Sequence, residues 1–86
     1  MKLRFTPHFL RTLRKLSAED QRIVQDTLRL FEKSPYDPAL RNHPLRGTQK
    51  GLRSIAVHHD LRILYVPVGS HTVALLITVG THEAVY

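Results

Sequence analysis

The chain has 86 residues, with 13 Lys and Arg against 7 Asp and Glu, a formal charge of +6 and a sequence pI near 10.3. That length predicts one domain, residues 1–86, with a modest core that gains stability from a partner. With no cysteine, disulfides and thiolate metal sites are excluded, as fits a reducing cytoplasm. Met1 to Phe5 lack the apolar core of a signal peptide, and no apolar run approaches the roughly 18 residues of a membrane span. So large a positive excess on so short a chain points to nucleic acid or an acidic protein as partner.

Lys2 to Phe5 alternates charged and apolar residues, the period of a half-buried strand. Thr6 then caps a helix that has Pro7 at its first position. Phe9, Leu10, Leu13 and Leu16 form its apolar stripe, with Arg11, Arg14 and Lys15 opposite. Ser17 caps a second helix, and Glu19 and Asp20 suit the positive end of its dipole. Asp20 stands where a capping box has Glu. Ile23, Val24, Thr27, Leu28 and Phe31 make its inner face, and Ser34-Pro35 ends it. Tyr36 to Lys50 reads as a long loop, rich in Pro and Gly, that carries Arg41, His43, Arg46 and Lys50.

Gly51 to Tyr65 organises the rest. Leu52–Val57 and Leu61–Val66 read as two strands around His58-His59-Asp60, an antiparallel hairpin. Pro67 and Gly69-Ser70 mark a turn. Thr72–Val79 is almost continuously apolar and predicts a central strand buried on both faces, ended by Gly80. The tail from Thr81 is short and polar and closes on Tyr86. Strands joined by short turns run antiparallel. The predicted class is α+β: a two-helix hairpin packed on one face of a small antiparallel sheet of about four strands.

In this order, His43-Pro44-Leu45 with Gly47, Gly51-Leu52-Arg53, Asp60-Leu61-Arg62-Ile63-Leu64-Tyr65 and Gly80-Thr81-His82 followed by Tyr86 resemble the RelE/ParE superfamily of toxins from toxin–antitoxin pairs, most nearly its YafQ-like branch. The resemblance spans nearly the whole chain and implies the small α+β fold reached above. It further implies a ribosome-dependent, metal-independent messenger-RNA endonuclease, neutralised by an antitoxin with an acidic toxin-binding segment. Operator DNA would be reached through that antitoxin, and no cofactor is implied. Two other readings stay open: a ParE-like protein that binds DNA gyrase, and a weakened RelE-like binder that does not cleave.

Cleavage without metal makes the 2′-hydroxyl attack the adjacent phosphate. It needs a base, an acid for the leaving 5′ oxygen, cations for the phosphate charge, and a plane on which a base stacks. The resemblance assigns proton transfer to His82, with Asp60 and His43 at family positions. Read alone, Asp60 equally suits a turn. Arg53 and Arg62 offer cations on adjacent strands. Arg46, Lys50 and His59 are candidate RNA contacts, and Tyr86 matches a family aromatic. The YafQ pattern has a histidine where this chain has Ala56 and a tryptophan where it has Leu61. His58 is the expected stand-in, since strand alternation would set it on the side of Ala56. No metal is expected, because the histidines lack ligand spacing and adjacent ones on a strand point apart.

Overall fold

The structure, a computed structural model, describes residues 1–58 and 60–86. Thr6 begins its helical layer. The Thr6 Oγ1 accepts from the Phe9 N–H at 3.1 Å and donates to the Leu76 carbonyl at 2.8 Å. One side chain thus caps α1 (Pro7–Arg14) and ties it to the sheet. Thr12 adds a second tie, its Oγ1 accepting from the Val79 N–H at 3.2 Å. Ser17 caps α2 (Ala18–Lys33) through the Asp20 N–H, and the helix stops two residues before Pro35. Both helices start where the sequence predicts, and α2 also stops there, whereas α1 ends at Arg14, short of the Leu16 that closes its predicted apolar stripe. Among the described residues no helix is long and apolar enough to cross a membrane.

The sheet has five strands: β1 (Lys2–Phe5), β2 (His43–Pro44), β3 (Arg53–Ala56), β4 (Leu61–Val68) and β5 (Val73–Thr81). Their order is β1-β5-β4-β3-β2. The all-antiparallel expectation of about four strands is corrected here, because β1 runs parallel to β5, from Lys2 opposite Val73 to Phe5 opposite Leu76. Short turns constrain only β3, β4 and β5, whereas β1 reaches its partner across most of the chain. The fifth strand, β2, is too short to leave a periodic pattern.

One face of the sheet receives both helices. Ile55, Leu61, Ile63, Tyr65, Ala74, Leu76 and Val79 pack there against Phe9, Val24, Leu28, Phe31 and Leu40. The other face of β5 is only half-buried at Val73, Leu75 and Thr78, which corrects the reading of a strand buried on both sides. A bulge leaves Ile77 without a partner between the Leu64–Thr78 and Tyr65–Leu76 pairs.

Two expected stops also lie inside strands. Pro67 pairs with Ala74 within β4. Alternation turns its nitrogen toward β3, which begins only at Arg53, opposite Tyr65, so no ladder bond is lost. Gly80 pairs with Arg62 within β5, and the tail after it forms a helical turn, α3 (His82–Val85).

The segment from Tyr36 to Lys50 is built rather than loose. It holds two 3-10 turns, Pro38–Leu40 and Gly47–Gln49, and buries Leu40. Asn42 is its hub. The Asn42 Nδ2 donates to the Tyr65 hydroxyl at 2.7 Å and to the Pro35 carbonyl at 2.9 Å, while Oδ1 accepts from Arg53 Nε at 2.9 Å. The Tyr65 ring is fully buried against Phe31, and the Arg53 guanidinium lies 5.6 Å from the centre of the Tyr36 ring. Burial pushes the Tyr65 hydroxyl above its ordinary 10.0, with Asn42 and Arg53 acting the other way. Asn42→Ala removes one partner from each of these groups and should lower unfolding stability by about 1–3 kcal/mol. Urea titration checks this, and an unchanged midpoint would remove Asn42 as the hub.

Candidate active site

Pairing parity decides which side chains share a face. Ile55 opposes Ile63 on the helix side, so Ser54 with Leu64 and Ala56 with Arg62 turn to the other side. His43 opposes Ser54 and joins them. Neither α1 nor α2 covers this face; α3 lies on it instead.

Gly80 allows that close approach. A Cβ there would stand 3.2 Å from Val85 Cγ1 and 3.5 Å from Ala84 Cβ. Val85 is buried by the contact. Thr81 Oγ1 caps α3 through the Ala84 N–H at 3.2 Å, and the His82 N–H donates to the Asp60 carbonyl at 2.8 Å. Gln49 Nε2 donates to the Val85 carbonyl, which joins the Gly47–Gln49 turn to the C-terminus. The Tyr86 hydroxyl is hydrogen-bonded to Ser54 Oγ, and the Tyr86 ring meets the His82 imidazole edge-on, 4.3 Å between centres. His43, Ser54, Tyr86 and His82 therefore form a series across the face opposite α1 and α2.

His43 Nδ1 lies 2.7 Å from the Arg41 carbonyl. A carbonyl only accepts, so in the neutral ring Nδ1 carries the hydrogen and Nε2 presents the lone pair. His43 and His82 are both exposed. Arg62 is half-buried, with Nη1 donating to the His58 carbonyl at 2.6 Å and the Leu61 carbonyl at 3.1 Å.

The structure thus gathers His82, Tyr86, His43 and Arg62 on one face, and Asp60 borders it through its backbone. Arg53 faces the helices in the Asn42 network, opposite to Arg62. Arg46 and Lys50 are exposed on either side of the Gly47–Gln49 turn. β3 ends at Ala56, so alternation does not extend to His58, whose Nε2 lies 3.3 Å from Asp20 Oδ1 on α2. His59 lies outside the described residues. Leu61 is buried in the helix-side core and offers no platform to the free face. Among the described residues no three His, Asp or Glu side chains group as a metal ion would need.

Sequence reading missed Ser54, Gln49 and the role of Gly80. Ser54 carried one signal, as a polar residue inside an apolar strand. Tyr86→Phe keeps the ring but strips the fully buried Ser54 of its partner. It should destabilise the fold by about 1 kcal/mol and speed amide exchange at Ala84–Tyr86. Hydrogen exchange by NMR measures both, and unchanged protection would mean that the hydroxyl does not hold the turn.

No protein-family model matches the chain, and no curated protein matches it at a significant level. Solved structures do. YafQ from E. coli strain BL21(DE3) superposes with a TM-score of 0.82 at 18% identity, covering 99% of this chain and 97% of that one. A YoeB/ParE toxin from Agrobacterium tumefaciens gives 0.76 at 22% identity, covering 95% and 99%. A chain of the intact E. coli RelBE toxin–antitoxin complex gives 0.70 at 25% identity, covering 95% and 96%. The chain therefore has the fold of the RelE/ParE toxin superfamily, in its YafQ-like form.

Proposed function

We propose that this chain is the toxin of a toxin–antitoxin pair and acts as a ribosome-dependent messenger-RNA endonuclease. The observation that carries the reading is the series His43, Ser54, Tyr86 and His82, with Arg62 beside it, on the face of a YafQ-like fold that α1 and α2 leave open.

The chemistry follows from those groups. The neutral His43 Nε2 takes the proton of the 2′-hydroxyl as its oxygen attacks phosphorus. The bond from phosphorus to the 5′ oxygen breaks, and protonated His82 gives that oxygen its proton. A 2′,3′-cyclic phosphate and a free 5′-hydroxyl result, and no external reactant is consumed. Arg62 supplies positive charge for the phosphorane oxygens, its guanidinium oriented by the two carbonyls that hold Nη1. The exposed Tyr86 ring supplies an aromatic surface for a base.

The net charge of +6 supports an acidic antitoxin as the neutralising partner. That charge also suits a ribosomal target, since RNA phosphate dominates the ribosome surface.

The test is induced expression in a bacterial host, with growth followed and message cleavage mapped by primer extension, for wild type and His82→Ala. Cuts at in-frame codons that fall by about 10²–10⁴-fold in the variant are expected for loss of a general acid. Growth arrest with no cuts would replace the nuclease by a gyrase-type toxin. No arrest and no cuts would leave a non-cleaving binder.

A further inference from the structure

Among the described residues, three that carry a side chain have positive φ: Arg41, Ser70 and His71. Ser70 and His71 are the central pair of the turn from β4 to β5, closed by the Thr72 N–H on the Gly69 carbonyl at 3.2 Å. Positive φ at both central positions is what suits such a turn to a hairpin. Arg41 lies in no hairpin. It follows the Pro38–Leu40 turn with φ 49° and ψ 43°, a left-handed conformation that belongs mainly to Gly, Asn and Asp. Its side chain does not enforce that conformation, being exposed and, among the described residues, in no ion pair.

The neighbours of Arg41 hold it there. Leu40 is buried, with its N–H on the Asp37 carbonyl at 3.0 Å. Asn42 is fixed by Pro35, Tyr65 and Arg53. One residue has to turn the chain between these two anchors, from the Pro38–Leu40 turn into β2. Residues fixed on both sides over-determine a conformation that arginine alone disfavours. His43 opposes Ser54 and Pro44 opposes Arg53, so two more steps of the ladder would set Arg41 opposite Ala56. An extended Arg41 would then aim its carbonyl at β3, as His43 does. The chain turns out instead and leaves a recess between Arg41 and Ala56. The carbonyl freed from the ladder meets the His43 ring, 2.7 Å from Nδ1. The opposite tautomer, with its hydrogen on Nε2, would set a lone pair against that carbonyl and leave the outward nitrogen unable to take a proton.

We propose that Arg41 is the positioning residue of the general base: its left-handed backbone, and not its guanidinium, holds His43 with Nδ1–H bound and Nε2 free to accept. The inference rests on the reading of His43 as the base of an RNA-cleaving site, and it names what orients that base. The acceptor is a backbone atom set between two anchored residues, so ring direction and tautomer are fixed together. His43 is exposed and sits on a strand of only two residues, so this contact supplies an orientation that burial does not. The chain from Tyr65 through Asn42 and Arg41 to His43 thus links the core under the helices to a reactive nitrogen on the other face.

The test reads the imidazole nitrogens of the full-length, isotope-labelled chain by NMR at high pH, where imidazoles are neutral, with ribosomal message cleavage measured beside it. Wild type and Arg41→Gln should both carry the His43 hydrogen on Nδ1, since the charge takes no part. Arg41→Gly adopts positive φ freely, so it should keep that tautomer and cleave as fast as Arg41→Gln. Arg41→Val is β-branched and excluded from positive φ. It should lose the Nδ1 preference and cleave about 10²-fold more slowly than Arg41→Gln, the cost of misplacing a reacting group by about an ångström. Three results overturn the proposal: a hydrogen on Nε2 in wild type, a changed tautomer in Arg41→Gly, or a folded Arg41→Val that matches Arg41→Gln in tautomer or in rate. Should Arg41→Val not fold, the wild-type and Arg41→Gly spectra decide. The tautomer is read without RNA, so a wild type with Nδ1–H that does not cleave refutes the nuclease reading and leaves the geometry at Arg41. A cleaving wild type with Nε2–H refutes this inference alone.

Discussion

The pairing of Ile55 with Ile63 decides which side of the sheet every other group faces. Both side chains are fully buried under the helices, and a one-residue slip would move them to the open face. Fully burying a side chain of this size contributes about 1.5–3 kcal/mol, so the register is strongly enforced. Once it is set, Ser54, Ala56 and Arg62 have no freedom of side. His43 follows through its pairing with Ser54. The polar face is thus a consequence of the apolar one, positioned by burial rather than by its own contacts.

The C-terminal turn then completes that face. Gly80 removes the side chain that would hold α3 away, Val85 fills the contact, and the Tyr86 hydroxyl reaches Ser54 on β3. The turn is pinned at its start by the Asp60 carbonyl and at its end by Gln49 and Ser54. His82 therefore sits on a short element braced from three other segments, while its own ring stays exposed. Rigid support with an exposed reactive group is what proton transfer to a substrate needs.

The helices were legible because their signals are local: Thr6-Pro7, Ser17 and Ser34-Pro35 each act within one turn of chain. The β3–β4 hairpin was legible from two apolar runs around a polar turn. The parallel pairing of β1 with β5 was not, since it joins residues some seventy positions apart and leaves no periodic trace. Pro67 and Gly80 misled as stops because tertiary context overrides their local meaning. One turns its missing N–H to an empty edge, and the other admits a neighbouring turn. The opposite facing of Arg53 and Arg62 was readable in principle, because Arg53 shares parity with Ile55 and Arg62 does not share it with Ile63. The left-handed Arg41, and the recess it opens, had no sequence signal, since arginine does not favour that conformation.

The central claim is that the face opposite α1 and α2 receives RNA. Backbone amide chemical shifts of the isotope-labelled chain, followed as a non-cleavable single-stranded RNA is added, test it most directly. The account predicts shifts concentrated at His43, Ser54, Ala56, Arg62, His82 and Tyr86, with the exposed sides of α1 and α2 unmoved. Shifts confined to α1 and α2, or spread evenly over the basic surface, would contradict it.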